Sequence, residues 1–137
     1  MTNTAQEHPM ARAAGVLISR WSNNEHMVLG FRRLDEGRQG VALPCGGVEE
    51  GETTAEAACR EAREETGLTV ALVGEPFVAL EQRDQVEVHI WQATIIDEGE
   101  ALTPHEGAPE WVSPAELLSG PYGDFNRVML EHFGVAP

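Results

Sequence analysis

GGVEEGETTAEAACREAREETGL, residues 46–68, is the stretch of sequence that decides the fold of this chain. Within it, Thr53 followed three residues later by Glu56 matches the capping-box pattern, in which each side chain binds a backbone N–H that has no partner inside the helix. Gly67 is typical of the left-handed residue that ends a helix. The stretch therefore predicts a glycine-rich turn and then a helix that is capped by Thr53 and ends at Gly67.

One face of this helix is predicted to pack closely on a sheet. Small side chains recur along it at helical spacing, at Ala55, Ala58, Cys59 and Ala62. We interpret Cys59 as a core residue for the same reason, rather than as a reactive thiol.

The helix also concentrates negative charge. Glu61, Glu64 and Glu65 are three and four residues apart, so their side chains share one side. Like charges at this spacing destabilise an isolated helix by about 0.2–0.5 kcal/mol per pair. The arrangement is either a solvated acidic face or a site for a hard cation, since Mg²⁺ and Mn²⁺ prefer carboxylate, carbonyl and water oxygens.

Two neighbouring features favour the cation. Arg60 is placed to reach Glu64 or to reach back to the loop at Glu52, which would hold a carboxylate in position. The glycines directly before the helix allow the backbone to approach a metal or a phosphate closely.

These residues resemble a known family signature. Gly46, five residues, Glu52, seven residues and then Arg60-Glu61-Ala62-Arg63-Glu64-Glu65-Thr66-Gly67-Leu68 is similar to the Nudix box at every defining position across 23 residues. The resemblance implies an α/β (α+β) Nudix fold with a mixed β-sheet sandwiched between helices. It also implies an enzyme, a hydrolase that cleaves a nucleoside diphosphate linked to another moiety.

The resemblance further implies roles for individual residues. Magnesium, with manganese as a substitute, would be held by Glu61, Glu65, Glu64 and the carbonyl of Gly46. Glu64 would serve either as this further ligand or as the residue that orients water. Glu52 and Arg60 would brace the loop against the helix.

Two more features concern the surroundings of the box. Residues 105–113 resemble the late loop of MutT-type members, which makes Glu106 the expected further ligand or general base, with Glu110 in reserve. The family phrase has proline and two glycines before the box, whereas this chain has Cys45 in place of the first glycine. We expect Cys45 to leave the metal set intact and to affect the backbone near the phosphates.

Substrate contacts are predicted outside the box. Three arginines, Arg32, Arg33 and Arg38, lie in or beside the loop RRLDEGRQG. They form either a cationic rim for phosphate oxygens or a solvated loop that balances nearby glutamates. Trp91, on a strand with a period of two, either stacks on a flat ligand ring or packs in the core.

The remaining elements are predicted from local patterns. Residues 1–9 are expected to be a flexible tail, and residues 10–137 one domain. Two strands joined by a polar turn at residues 22–25 come first, and β-rich stretches follow at 68–80 and 86–96. After a loop at 97–109, a short strand at 110–113 leads to a brief helix that opens at Pro114. The closing helix is predicted to have Asp124 as its cap and one apolar face, formed by Phe125, Val128, Met129 and Phe133.

Composition limits the classes of function. The 137 residues have a formal net charge of −14, and all nine basic residues are arginines. This field repels nucleic acids and anionic membranes, so we expect a small-molecule nucleotide as substrate and neither of those as a partner. Two cysteines cannot form a disulfide framework. With no secretory or membrane-spanning pattern, we expect a cytoplasmic monomer or homodimer.

The substrate class is approached by elimination among the family's flanking signatures. The only tyrosine is Tyr122, far from the box, which disfavours the diadenosine-polyphosphate type. The phrases expected of NADH pyrophosphatases and coenzyme A hydrolases are absent. The leading interpretation is a MutT-like pyrophosphohydrolase that converts a nucleoside triphosphate to the monophosphate and pyrophosphate. The alternatives are an ADP-ribose or nucleotide-sugar pyrophosphatase and a non-catalytic nucleotide sensor.

Overall fold

The computed structural model describes residues 11–33, 40–81, 85–97 and 107–135. The predicted tail, residues 1–9, lies outside these ranges. The described strands are β1 Ala11–Leu17, β2 Ser19–Ser22, β3 Glu25–Arg33, β4 Gly40–Ala42, β5 Cys45–Gly47, β6 Thr69–Glu81, β7 Val86–Asp97 and β8 Gly107–Val112. The described helices are α1 Thr54–Thr66, α2 Pro114–Leu118 and α3 Gly123–His132. None of these helices is long and apolar enough to span a membrane.

The strands form two sheets. The first has the order β5-β1-β7-β6, in which β1 and β7 are parallel and the other pairs are antiparallel. In the second, β3 pairs with β2, β4 and β8, always antiparallel. The predicted mixture of helices with a mixed sheet is confirmed.

The early hairpin forms as its turn residues predict. Asn23 and Asn24 have φ angles of 53° and 65°. Asparagine tolerates this left-handed region, which a two-residue turn needs if its twist is to match that of the flanking strands. Strands β2 and β3 therefore pair directly on either side of the turn, with Ser22 opposite Glu25.

Both predicted caps of α1 are confirmed. The Thr53 hydroxyl accepts the Glu56 N–H, and the Glu56 carboxylate accepts the Thr53 N–H. At the other end, Gly67 has a φ of 78° and donates its N–H to the carbonyl of Arg63. The predicted apolar stripe is incomplete, because Ala57 is also fully buried.

The first sheet is covered on both faces. On the α1 side, a smaller core joins the helix alanines to alternate residues of β1 and β7, among them Ala14, Val16 and Ala93. On the other side, a larger core joins Val88 and Ile90 of β7 to the second sheet and to α3. The period of two predicted for β7 therefore separates two cores, because successive side chains on a strand point to opposite faces.

Two expectations about the elements are wrong. The glycine-rich turn before α1 is partly a strand, because Cys45–Gly47 pairs with β1. The closing helix begins at Gly123, and its first turn has no side-chain cap from Asp124. Of the predicted apolar face, Met129 is buried and Phe125 and Phe133 pack against the larger core, whereas Val128 is exposed. Asn126 is also buried, and its amide donates to the carbonyls of Val41 and Leu117.

Candidate active site

The edge strand β5 and the helix α1 meet through Glu61. Its carboxyl group lies directly over the Cα of Gly46, where a Cβ atom on residue 46 would overlap it. The Glu61 side chain is only 13% exposed. Glycine at position 46 is therefore required by the close approach of this carboxylate.

Glu65 ties the same helix to the same strand. Its Oε1 accepts the backbone N–H of Cys45 at 2.9 Å. A backbone donor is the same whether the residue is glycine or cysteine, so Cys45 preserves this contact. The structure thus brings Glu61 and Glu65, one helical turn apart, against consecutive residues of β5.

Arg60 braces the cluster. Its guanidinium binds the Glu52 carboxylate through Nε at 2.8 Å and Nη2 at 3.0 Å, and Nη2 also donates to the Gly47 carbonyl at 2.8 Å. Nη1 donates to Glu61 at 2.8 Å and to Glu64 at 3.1 Å. One cation therefore joins the loop, the strand and two carboxylates of the helix, and it offsets the repulsion between those carboxylates.

The contacts between Arg60 and Glu52 shift the pKa values of both side chains. The hydrogen bonds from Arg60 hold the pKa of Glu52 below its usual value, because they stabilise the carboxylate form. The same contacts raise the pKa of Arg60. Both groups are charged at neutral pH and remain paired.

The chemistry of the cluster suits a hard cation. Glu61, Glu64, Glu65 and the Gly46 carbonyl are all oxygen donors, and the absence of a Cβ at residue 46 lets the Glu61 carboxylate come next to that residue. Among the residues that the structure describes, no group of three Asp, Glu, His or Cys side chains is close enough together to hold a metal ion. Oxygens of Glu61 and Glu64 are instead engaged by Arg60.

A cleft of about 780 Å³ opens on the other side of β5. Cys45, Gly46 and Gly47 form one wall, and Tyr122 and Phe125, at the start of α3, form another. The three residues of β5 therefore separate the carboxylates from the cleft and take part in both.

Of the three arginines predicted to form a rim, Arg32 is held by glutamates. Arg32 binds Glu110 through Nε at 2.8 Å and Nη2 at 2.6 Å, and it reaches Glu116 at 3.5 Å. This is the charge-balancing alternative. The backbone of Arg33 ends β3, whereas Arg38 lies outside the described residues.

Of the two glutamates predicted in the late loop, the structure describes only Glu110. Glu106 lies outside the described residues. Glu110 is held by Arg32, whose hydrogen bonds lower the pKa of this carboxyl group. Arg32 thus contacts both carboxylate oxygens of Glu110, and the reserve role of Glu110 as ligand or base stays a prediction.

Trp91 does not line the cleft. It is 7% exposed and packs in the smaller core together with Ala57, Ala58 and Ala62 of α1. The predicted stacking on a ligand is therefore wrong, and the packing alternative is correct, because the ring faces the helix.

The sequence did not lead us to expect two of the residues that line the cleft. Arg12 lines it from β1, and Asn126 lines it from α3. Asn126 is 1% exposed and donates from Nδ2 to the carbonyls of Val41 and Leu117. A polar residue among the apolar positions of the closing helix was a signal for Asn126, whereas nothing local distinguished Arg12.

The fold and the braced carboxylate cluster define a Nudix domain. The family model described as NUDIX domain matches residues 9–133, so the chain belongs to the Nudix hydrolase family. The resemblance seen in residues 46–68 is confirmed.

Two curated relatives are called RNA pyrophosphohydrolase. The one from Erythrobacter litoralis is 40% identical over 62 residues, which cover 44% of this chain and 36% of that protein. The one from Rhizobium meliloti is 36% identical over 78 residues, 53% of this chain and 46% of that protein. The matched stretches thus span less than half the length of either relative.

Among solved structures, an Ap4A hydrolase binary complex from C. elegans superposes with a TM-score of 0.68 at 20% identity. The match covers 90% of this chain and 98% of that one. At this level of identity the likeness concerns the fold.

Proposed function

We propose that this chain is a magnesium-dependent pyrophosphohydrolase that converts a nucleoside 5′-triphosphate to the monophosphate and pyrophosphate. The supporting observation is the double role of β5. Glu61 and Glu65 rest on its residues from one side, and a cleft large enough for a nucleotide opens from the other. A diphosphate lying along Cys45–Gly47 would be within reach of both.

In this proposal each residue of the cluster has a role. Glu61, Glu65, Glu64 and the Gly46 carbonyl hold Mg²⁺, or Mn²⁺ with the same oxygen ligands. When bound, the cation would act as a Lewis acid and neutralise charge on the phosphates. Arg60 and Glu52 are positioning residues, because they fix the loop and the strand against the helix.

The hydrolytic step is an attack of water on a phosphorus of the bridging diphosphate. A glutamate accepts the proton of that water, and the P–O bond to the α–β bridging oxygen breaks. That oxygen keeps the electron pair, and the products are the nucleoside monophosphate and pyrophosphate. Glu64 is one candidate for this base, since its side chain is 58% exposed and can meet water. Glu106 is the other candidate.

A second candidate substrate is the 5′-triphosphate end of an RNA. The name of the two curated relatives favours it. The same bond would be cleaved and pyrophosphate would again be released. The net charge of −14 favours the free nucleotide, because it repels the rest of an RNA backbone.

A substrate panel with magnesium tests the proposal. The panel contains the nucleoside and deoxynucleoside triphosphates, a 5′-triphosphorylated RNA oligonucleotide, ADP-ribose and UDP-glucose, and the products are separated by ion-exchange chromatography. We expect pyrophosphate and a monophosphate from free triphosphates. Faster release of pyrophosphate from the RNA than from free triphosphates would favour RNA as the substrate. Hydrolysis of ADP-ribose or UDP-glucose to two monophosphates would contradict both candidates and indicate an ADP-ribose or nucleotide-sugar pyrophosphatase. If none of these compounds is hydrolysed, the remaining interpretation is a non-catalytic nucleotide sensor.

A further inference from the structure

Arg12 lies on β1, where it is a diagonal neighbour of Gly46 across the β1–β5 pair. Its carbonyl accepts the N–H of Val48 at 3.0 Å, directly beyond β5. It is two residues before Ala14, which pairs with Gly46 across the sheet. Because residues two apart on a strand share a face, Arg12 projects from the face of the sheet on which Glu61 covers Gly46.

Arg12 also differs from Arg32 and Arg60 in its partners. The chain has 23 acidic residues and nine arginines, so a carboxylate partner is the expected situation for an arginine. Arg32 and Arg60 have such partners. Within the described ranges, no carboxylate lies within ion-pair distance of the Arg12 guanidinium.

The neighbouring residues explain why Arg12 has no carboxylate partner. In the register of β1 and β7, Arg12 is opposite Glu87. Oε1 of Glu87 instead forms a 2.8 Å hydrogen bond with Nε2 of His89, two residues further along the same face. The imidazole thus engages the carboxylate of the residue opposite Arg12 in the β1–β7 register.

We propose that Arg12 binds the phosphate oxygens of the substrate and that the Glu87–His89 pair keeps its guanidinium available for them. A planar guanidinium donates two parallel hydrogen bonds to a phosphate, which gives both charge and orientation. Arg12 contacts the substrate in this assignment, whereas Glu87 and His89 are positioning residues. The inference deepens the proposed function and rests on it for the identity of the nucleotide, but the phosphate site can be tested alone.

The test measures binding of inorganic pyrophosphate to the full chain by calorimetry in magnesium-containing buffer. We expect Arg12→Ala to weaken binding at least about tenfold, which corresponds to about 1.4 kcal/mol. Arg12→Lys should give an intermediate affinity, since it keeps the charge but loses the paired donors. The matched control is Arg127→Ala on the exposed surface of α3, which removes the same charge away from the cleft and should leave the affinity unchanged.

The positioning role has its own variants. His89→Ala should release Glu87 to pair with Arg12 and so weaken pyrophosphate binding several-fold. Glu87→Gln/His89→Ala should restore it, because the competing charge is gone. Glu87→Gln alone should bind at least as well as the unmodified chain, which keeps the test open if His89→Ala fails to fold.

Equal pyrophosphate affinity for Arg12→Ala and the unmodified chain would overturn the assignment, as would the absence of binding to either. A His89→Ala chain that stays weak when Glu87 is also replaced would overturn the positioning role. If pyrophosphate binding depends on Arg12 but no triphosphate is hydrolysed, the phosphate site stands and the proposed function fails.

Discussion

At the scale of single residues, the site depends on glycine at position 46, which has no Cβ atom. The Glu61 carboxyl group fills the space that a Cβ on residue 46 would need, and the next residue toward the N-terminus, Cys45, donates its N–H to Glu65. The contact with Gly46 demands a particular residue type, whereas the contact with Cys45 uses only the backbone. The two neighbouring positions should therefore respond differently to substitution.

Gly46→Ala is expected to displace Glu61 and to lower kcat/KM about a hundredfold, since a misplacement of about 1 Å in a catalytic group has that effect. The concentration of Mg²⁺ needed for half-maximal rate should rise as well. Steady-state kinetics at varied Mg²⁺ would measure both. Gly47→Ala is the control for metal dependence, because a Cβ there meets no atom within 4 Å. An unchanged Mg²⁺ requirement in Gly46→Ala would contradict the assignment.

Glu65→Gln tests the charge of the second carboxylate. Glutamine can still accept the Cys45 N–H through its amide oxygen, so the thermal unfolding temperature should change little. Turnover should fall at least about tenfold to a hundredfold, the range seen when even outer partners of a metal are lost. Near-normal turnover with the usual metal dependence would move the metal centre elsewhere.

At the scale of elements, two interactions hold the framework of the site. The capping box sets where α1 begins, and with it the phase at which Glu61 and Glu65 meet β5. The ion pair between Arg32 and Glu110 joins β3 to β8 across 78 residues of sequence. The first is local, whereas the second exists only in the folded sheet.

Thr53→Ala should lower the free energy of unfolding by about 1 kcal/mol, the usual contribution of a helix N-cap. Denaturant titration would measure it. Thr53→Ser is the matched control, because it retains the hydroxyl that accepts the Glu56 N–H. If both variants lost the same stability, the cap hydrogen bond would not be the cause.

The Arg32–Glu110 pair should make stability depend on pH. Because Arg32 lowers the pKa of folded Glu110, the folded state binds fewer protons than the unfolded state, and stability falls with decreasing pH. The contribution is present above the unfolded pKa of about 4.3 and disappears as the pH falls through the lower folded value. Glu110→Gln should therefore cost about 0.2–1 kcal/mol at pH 7, the range of exposed pairs, and much less near pH 3. An identical cost at both values would exclude the ion pair.

At the scale of the whole molecule, charge is the dominant property. A net charge of −14 in 137 residues opposes the compact state through self-repulsion. It also implies that an anionic substrate depends on local positive charge, from a bound cation or from a residue such as Arg12. Substrate binding and stability should therefore both respond to ionic conditions.

We expect the thermal unfolding temperature at pH 7 to rise as sodium chloride increases from about 10 mM to about 0.5 M, since screening weakens the repulsion more than it weakens the few ion pairs. Differential scanning calorimetry would measure the shift. A falling unfolding temperature would mean that the ion pairs around Arg60 and Arg32 outweigh the net charge.

The sequence by itself determined the features that depend on residues close together in the chain. The capped helix α1 and the common side of Glu61, Glu64 and Glu65 follow from spacings of a few residues, because a helix converts spacing directly into geometry. The brace from Arg60 to Glu52 was implied by the resemblance to the Nudix box.

Only the tertiary structure decided the features that depend on which strands become neighbours. Pairing with β1 made a strand of Cys45–Gly47, and packing under α1 buried Trp91 in the smaller core. The fold also gave Arg32 a partner in Glu110 and placed Arg12 on the face of the sheet that carries Glu61. No local pattern contains this information, since strand register and sheet order bring together residues that are distant in sequence.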